Sequence, residues 1–203
     1  MRSILLTIVT GLCLVLITGC GVTKPSKYYL LTPIDQSSSG TLSAPAKVLG
    51  IGPVAFPAYL DRPQIVLRSG GNQLDYAESH RWAEPLKAAF SHTLSENLSI
   101  MLPVKRAVIY PWSRSTPLDY QVIINVSRFD ADASGTVILT ADWEIIRSSD
   151  SKSMDQDKVT YSEAAGSSDY PAIVAAQSRA VEQLSRNIAT AINSAGSPAG
   201  QPR

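Results

Sequence analysis

The chain has 203 residues, enough for one ordinary domain with accessory segments. Hydrophobic residues make up 44% of it and charged residues 17%, so the chain can form a packed core and general disorder is excluded. The 18 Lys and Arg residues are balanced by 17 Asp and Glu residues, so the sequence has neither the basic excess that binds nucleic acid nor a polybasic run that would hold an anionic membrane.

The N-terminus has the pattern of an export signal. Met1-Arg2-Ser3 is a short cationic start, and residues 4–17 are apolar apart from two threonines and one glycine. This run has the length of a signal-peptide hydrophobic region and falls short of the ~20 residues that a membrane-spanning helix needs. We predict that residues 1–19 are a signal peptide. An ordinary secretory signal and a short membrane anchor are the alternatives.

Residues 17–20, Ile-Thr-Gly-Cys, resemble a bacterial lipobox. The resemblance implies cleavage after Gly19, a diacylglycerol thioether on Cys20 and acylation of the new amino group; three acyl chains anchor a protein durably. Cys13 lies in the signal peptide, so the mature chain has no partner for an intramolecular disulfide. Because Gly21 stands where an aspartate would retain the protein in the inner membrane, the resemblance implies the periplasmic face of the outer membrane.

The first half of the mature chain is predicted to be rich in short strands. Residues 20–27 are a short polar stretch that we predict to be the lipidated tether of a single domain, residues 28–193. Aromatic and β-branched runs bounded by Gly, Pro and Ser predict strands at residues 28–31, 47–54, 64–68 and 73–76. Residues 35–46 are rich in Ser, Gly and Pro, which is typical of a linker or loop.

Two stretches have the periodicity of amphipathic helices. Residues 84–101 carry apolar side chains at three- and four-residue spacing, with Pro85 in the first turn and Pro103 beyond the end. Residues 171–193 carry a second stripe of this kind. We therefore predict a helix in each.

Alternating apolar residues predict three strands in the second half of the chain, at residues 119–130, 136–146 and 157–164. The first two are joined by a turn at 130–135. The prediction is an α+β domain: a mostly antiparallel sheet with both amphipathic helices packed on one face, because each helix has a single apolar stripe. Residues 194–203 are predicted to be a disordered tail.

Motifs for catalysis and cofactor binding are weak. The stretch GIGPVA, residues 50–55, has two glycines of a dinucleotide-binding loop, but Pro53 and Pro57 oppose the helix that such a loop must start. His80 and His92 lie outside any His-Glu-x-x-His motif, and the sequence has no Gly-x-Ser-x-Gly elbow. We expect no enzymatic activity, no metal and no cofactor.

The stretch from Tyr59 to Leu86 has the densest group of specific polar residues. An acid/base cluster, or ion pairs that bridge strand ends, could be formed by Asp61, Arg62, His80, Arg81 and Glu84. Because Trp, Tyr and Arg are the usual anchors of interfaces, a third hypothesis is a partner-docking surface. Its residues would be Tyr59, Arg62, Arg81 and Trp82. Trp82 could instead pack against the sheet.

Three motifs carry a family resemblance: YYL at residues 28–30, IGPVAFPAYLDRPQIVLR at 51–68 and HRWAEPL at 80–86. They resemble the ABC-type transport auxiliary lipoproteins, over about residues 28–192. The resemblance implies a non-enzymatic lipoprotein of an MCE-type system, which moves lipid or other hydrophobic material between the two membranes of Gram-negative cells. It implies an MCE-family protein of the inner membrane as partner, and a homo-oligomer if that partner is a ring.

Two other functions stay open at this point. A periplasmic lipid-binding lipoprotein that carries cargo itself would need an apolar cavity. An envelope-assembly lipoprotein unrelated to transport would share the anchor but not the transport partner, so genes for an ATPase, a permease and an MCE protein would not lie beside its own.

Overall fold

The structure is a computed structural model that describes residues 25–35 and 47–196. The signal peptide, Gly19, Cys20 and most of the tether lie outside the described residues. The described part contains eight strands and two α-helices. The strands are β1 Lys27–Tyr29, β2 Lys47–Ala55, β3 Gln64–Gly70, β4 Gln73–Trp82, β5 Val104–Ile109, β6 Tyr120–Asp132, β7 Thr136–Arg147 and β8 Lys152–Ala164; the helices are α1 Leu86–Met101 and α2 Tyr170–Gly196.

All eight strands belong to one sheet, with β6 at its centre. One edge of β6 pairs antiparallel with β7, which pairs antiparallel with β8. The other edge pairs in parallel with β2 and, near its end, with β3. From there β2 continues in parallel to β5, and β3 continues through antiparallel β4 to parallel β1.

The prediction of a mostly antiparallel sheet holds only in part, because the sheet is mixed: four of these seven strand pairings are parallel, although the long antiparallel pairings β6–β7 and β7–β8 contain most of the paired residues. The connection from β5 to β6 crosses β2, and the chain segment between β3 and β6 carries α1. A crossover connection lets the next strand run parallel to its neighbour, whereas a tight turn can join only antiparallel neighbours. The coarser prediction of an α+β domain agrees with the structure.

Both helices pack on the same face of the sheet, as predicted. Side chains on β6 and β7 alternate, so Val122, Ile124 and Leu139 are buried inward while Asn125 and Ser127 are exposed on the outer face. Helix α1 contacts β2 and β5, helix α2 contacts β6, β7 and β8, and the helices contact each other. Neither helix of the described residues is long and apolar enough to cross a membrane.

Three phenylalanines tie α1 to the sheet. Phe90 on α1 is fully buried and meets Phe56 and Phe129 edge-on, with ring centroids 5.2 and 5.7 Å away. Edge-to-face rings stabilise a contact by about 1 kcal/mol beyond the area that they bury. This cluster holds the end of β2 and the end of β6 under the helix.

Several boundaries differ from those predicted. Strand β5 was not predicted, because Lys105 and Arg106 interrupt its apolar pattern. The long helix continues through residues 194–196, so the predicted tail begins later; Ser194 Oγ donates to the Thr190 carbonyl at 3.0 Å. The rest of that tail lies outside the described residues. Lys27 belongs to β1 and not to the tether.

Residues 31–35, which follow β1, run across both helices, and we name this segment the strap. Leu31 is buried, the backbone N–H of Thr32 donates to Ser178 Oγ at 3.1 Å, and that of Ile34 donates to Asn97 Oδ1 at 2.9 Å. Asn97 in turn donates to Ser185 Oγ at 3.1 Å. The first described segment of the mature chain is therefore fastened to the sheet by β1 and to both helices by the strap.

The glycines of the GIGPVA motif have a structural role. Residues 50–55 lie within β2, so the helix that a dinucleotide loop requires does not start there. The loop from β5 to β6 crosses this strand, and a Cβ on Gly50 would lie 2.7 Å from Leu118 Cδ1 and 3.0 Å from the Trp112 ring. Gly52 has φ +115°, and its Cβ would lie 2.9 Å from Tyr110 Cβ. The motif permits the close crossing of two chain segments.

We expect Gly52→Ala to lower the free energy of unfolding by about 1–3 kcal/mol, because a Cβ disfavours this positive φ. Urea unfolding monitored by circular dichroism measures the change. Gly71→Ala is the matched control, since a Cβ there would meet no atom within 4 Å, and it should shift stability by less than about 0.5 kcal/mol. Equal stability of the two variants would contradict this role of Gly52.

Candidate functional site

The stretch singled out in the sequence, Tyr59 to Leu86, folds into one corner of the sheet. It contains the short 3-10 turn Ala58–Leu60, then β3 and β4, and it ends where α1 begins. Strand β1 pairs with the outer edge of β4, which brings the beginning of the mature domain to the same corner.

The strongest charge cluster here surrounds Asp130, whose side chain is fully buried at the end of β6. Arg68 on β3 donates Nη2 to Oδ2 at 3.0 Å and Nε to Oδ1 at 3.3 Å. Arg128 donates Nε to Oδ1 at 2.9 Å, and the hydroxyl of Tyr59 donates to Oδ2 at 3.0 Å. One buried carboxylate thus joins β3, β6 and the 3-10 turn.

This cluster was not predicted, because Asp130 stands at the boundary between the predicted strand, 119–130, and the predicted turn, 130–135. The register of β6 against β7 shifts between Val126 and Arg128, and this irregularity breaks the simple alternation of inward and outward side chains. Each oxygen of Asp130 is satisfied by donors, so the cluster is a structural joint. A break in an otherwise regular alternation was the signal that could have found it.

Tyr59, one of the predicted docking residues, is part of this joint through its hydrogen bond to Asp130. Burial, followed by the negative charge of Asp130, raises the pKa of Tyr59 to about 12. The phenol therefore stays protonated and donates to the carboxylate at any physiological pH. Its hydroxyl is engaged inside the chain, which disfavours a role in contacting a partner.

This arrangement predicts that Tyr59 titrates later than an exposed tyrosine. The absorbance difference between wild type and Tyr59→Phe should give an apparent pKa near 12. Because the folded pKa lies above the ordinary value of 10, stability from this group is fully present below pH 10 and is lost as pH rises through the folded pKa. Tyr59→Phe should cost about 1 kcal/mol of unfolding free energy at neutral pH. Titration near pH 10 would contradict the observed contact.

Trp82 is the second predicted docking residue that the structure places inside. Its side chain is only 4% exposed and belongs to the core cluster, so it cannot anchor a partner at the surface. The alternative prediction, that Trp82 packs against the sheet, describes its position. Its backbone N–H donates to the Pro63 carbonyl at 2.7 Å, which fixes the start of β3 beside the end of β4.

Arg62 and Arg81 keep part of each guanidinium group at the surface. Both side chains are partly buried, and the Nε of each is buried without a hydrogen-bond partner among the described residues. The guanidinium of Arg62 lies 4.0 Å from the ring centroid of Tyr76, a cation–π contact. Arg81 lies beside Tyr28 in the β1–β4 pairing, and Tyr28 is 65% exposed. These two are the predicted residues that remain available to a ligand or partner.

The predicted acid/base cluster does not form. His80 stacks on Tyr170 with ring centroids 3.8 Å apart, and its Nδ1 lies 2.8 Å from the hydroxyl of Tyr29. Burial and then the charge of Lys27 lower the pKa of His80. Glu84 instead lies 3.5 Å from His92 on α1. Among the residues that the structure describes, no three His, Cys, Asp or Glu side chains are placed to hold a metal ion.

A surface cleft on the outer face of the sheet is the other concave feature of note. It lies over β6, β7 and β8, and its walls include Ile123, Asn125, Asp142, Glu144 and Lys158. Four of its eight lining residues carry charge, Asp142, Glu144, Asp157 and Lys158, and Lys158 lies 3.8 Å from Asp142. An acyl chain prefers an apolar enclosure, so this cleft is not suited to lipid tails.

Comparisons with known proteins agree with the fold. A crystal structure of an uncharacterised protein superposes with a TM-score of 0.68 and 22% identity, covering 83% of this chain and 99% of that one. A protein from Xanthomonas campestris gives 0.67 and 19%, covering 83% and 96%. The PelC dodecamer from Paraburkholderia phytofirmans is a more distant likeness, with a TM-score of 0.43 and 12% identity over 72% of this chain and 92% of that one.

No curated protein sequence matches the chain significantly. The family model described as "ABC-type transport auxiliary lipoprotein component" matches residues 29–189, which is most of the chain and includes the Arg62 and Arg81 corner. The resemblance carried by YYL, by the Ile51–Arg68 stretch and by HRWAEPL is thereby confirmed. The chain belongs to the ABC-type transport auxiliary lipoprotein family.

Proposed function

We propose that this protein is an outer-membrane-anchored periplasmic lipoprotein of an MCE-type intermembrane lipid transport system, in which it acts as a docking and assembly module for cell-envelope integrity. Membership of the transport auxiliary lipoprotein family is the observation that carries the proposal. The lipobox that ends at Cys20 supports the anchor independently. The partner in this proposal is an MCE-family protein that extends from the inner membrane.

The fold suits a tethered module. Lys27, the first residue of β1, follows Cys20 by seven positions, so an extended tether reaches at most about 25 Å. The strap that follows β1 binds both helices through Ser178 and Asn97. The segment next to the tether is therefore bound to both the sheet and the helices. The short tether keeps the domain close to the membrane that holds the acyl chains.

Of the four predicted docking residues, Arg62 and Arg81 are the two whose guanidinium groups stay accessible to a ligand. Tyr59 and Trp82 support that corner from inside through the Asp130 joint and the core. We further propose that the protein forms a homo-oligomer if its partner is a ring, because a ring offers equivalent docking sites to several copies.

Carriage of lipid by this chain itself is less well supported. The outer cleft is lined by Asp142, Glu144 and Lys158, a charged surface that does not match an acyl chain. An envelope-assembly role without transport would use the same anchor, and only the partner distinguishes it.

Deletion of the gene tests the proposed role in the envelope. The deletion strain should become sensitive to detergents and large antibiotics that an intact envelope excludes. Wild-type protein should restore resistance, and a matched plasmid carrying Cys20→Ser should not. Unchanged sensitivity in the deletion strain, in a background without a second copy of the system, would count against the proposal.

A further inference from the structure

Four arginines of the described residues form no ion pair there, Arg62, Arg81, Arg106 and Arg114, and two of them, Arg62 and Arg81, lie at the β1–β4 corner with Nε buried. Carboxylates lie within 4 Å of the guanidinium groups of Arg68, Arg128, Arg147, Arg179 and Arg186. Arg62 and Arg81 have no such partner among the described residues, and each has a buried Nε without an acceptor. Their terminal nitrogens are not buried and form no hydrogen bond within the described residues, so they are accessible to a ligand.

Arg81 lies on β4, and Arg62 lies in the bend just before β3. Trp82 points into the core, so its neighbour Arg81 points outward. Arg81 is in register with Tyr28 on one side and with Gln64 on the other, and Arg62 lies two residues before Gln64. The Tyr76 ring holds the Arg62 guanidinium in place. We name this surface, made of Tyr28, Leu30, Arg62, Tyr76 and Arg81, the arginine corner.

The arginine corner also exposes apolar area. Tyr28 is 65% exposed, Leu30 52% and Tyr76 37%. Tyrosine has an apolar ring and a polar hydroxyl, which suits the boundary between lipid and water. Exposed carboxylates occur on the same segments, Asp61, Asp75 and Glu78, and none of them forms an ion pair with Arg62 or Arg81 within the described residues.

The position of the tether indicates what this corner meets. Tyr28 follows Cys20 by eight residues, so the corner lies within about 30 Å of the acyl chains at full extension and closer otherwise. A tethered surface meets its membrane at a high effective concentration, so weak contacts are enough to orient the domain. A protein that extends from the opposite membrane would approach from the other side. Guanidinium groups bind phosphate oxygens in bidentate fashion, which an ammonium does not.

We infer that the arginine corner binds the phosphate groups of anionic phospholipids in the membrane that carries the anchor, with Tyr28 and Leu30 at the lipid–water boundary. Through this contact the β1–β4 edge faces the bilayer and the remainder of the domain is directed into the periplasm. The inference rests on the proposed anchor at Cys20. It adds a membrane contact that the sequence does not reveal, because the two arginines come from separate segments and form no basic run.

Vesicle sedimentation tests the corner without the anchor. The probe is the mature chain with Cys20→Ser, made without residues 1–19, and its circular dichroism spectrum establishes that it is folded. We expect it to sediment with phosphatidylethanolamine–phosphatidylglycerol vesicles at low salt and not with phosphatidylcholine vesicles. Arg62→Gln and Arg81→Gln should each weaken binding about fivefold. Added salt should also weaken the binding of the wild-type protein to anionic vesicles, because salt screens the attraction between arginine and phosphate.

Matched controls separate the corner from general charge. Arg106→Gln and Arg114→Gln remove exposed arginines elsewhere in the chain and should leave binding within about twofold. Tyr28→Ala should weaken binding, whereas Tyr110→Ala, which removes another tyrosine that is more than half exposed, should not. Circular dichroism and urea unfolding of each variant establish that the fold is retained.

Three results would overturn the inference. The first is absence of wild-type binding to anionic vesicles. The second is equal loss with the control pair, which would indicate nonspecific charge. The third is arginine-dependent binding of poly-glutamate without binding of vesicles, which would assign the corner to an acidic protein. Failure of the anchor itself is seen separately, as a lack of acylation of the full chain, and leaves the vesicle result unchanged.

Discussion

Replacing Cys20 with serine should abolish incorporation of labelled palmitate into the protein in cells. A serine hydroxyl cannot form the thioether that the lipobox resemblance implies, and cleavage after Gly19 should then also fail. The variant should persist as a precursor that retains residues 1–19 and should be absent from the outer-membrane fraction. Mass spectrometry of the purified wild-type chain should show a mature N-terminus at Cys20 carrying the mass of three acyl chains.

The matched control is Cys13→Ser, which removes the other cysteine of the chain. Because Cys13 lies within the predicted signal peptide, this variant should be acylated, cleaved and sorted like wild type. A wild-type protein that is cleaved elsewhere and released without label would show an ordinary secretory signal, and it would remove the basis for the tether.

Removing the charge of Asp130 should have the largest effect on stability among the polar positions. Asp130→Asn keeps the shape of the side chain but leaves Arg68 and Arg128 without their carboxylate and Tyr59 with a poorer acceptor. Breaking a buried ion pair from one side costs about 3 kcal/mol or more. Urea unfolding should show this loss, because the joint between β3, β6 and the 3-10 turn opens.

The control for Asp130 is Asp142→Asn on the outer face of β7. Asp142 lies 3.8 Å from Lys158, and the two side chains are 45% and 68% exposed, so its loss should cost less than about 1 kcal/mol. If Asp130→Asn unfolded at the same urea concentration as the Asp142 variant, the joint would contribute little, and the corner above it would be held by other contacts.

Elements with one buried face could be predicted closely from the sequence. The alternation in β6 and β7 and the apolar stripe of α1 fixed the ends of these elements to within one or two residues, since burial imposes the period directly. Strand direction could not be predicted in this way, because alternation is the same in parallel and antiparallel pairs. Strand β5 was missed because its short sequence carries two adjacent cations.

The direction of the side chains around β3 and β4, like the direction of the strands, could not be predicted from the sequence. Tyr59, Arg62, Arg81 and Trp82 flank β3 and β4 in the chain, but the direction in which each side chain points depends on local register. Trp82 points into the core, and Tyr59 points at Asp130, which is 71 residues away in the chain. Contacts of this range leave no periodic signal in the sequence, so only the fold distinguishes supporting side chains from exposed ones.

Crosslinking in cells tests the central claim of a transport docking module most directly. A photoreactive amino acid would replace one exposed residue at a time, at Arg114 and Ser127 among others, with buried Leu94 as the negative control. After illumination, mass spectrometry of the purified adducts should identify an inner-membrane protein with MCE domains from at least one exposed position. Adducts with other envelope proteins alone, from a fully acylated chain at native abundance, would contradict the proposed function.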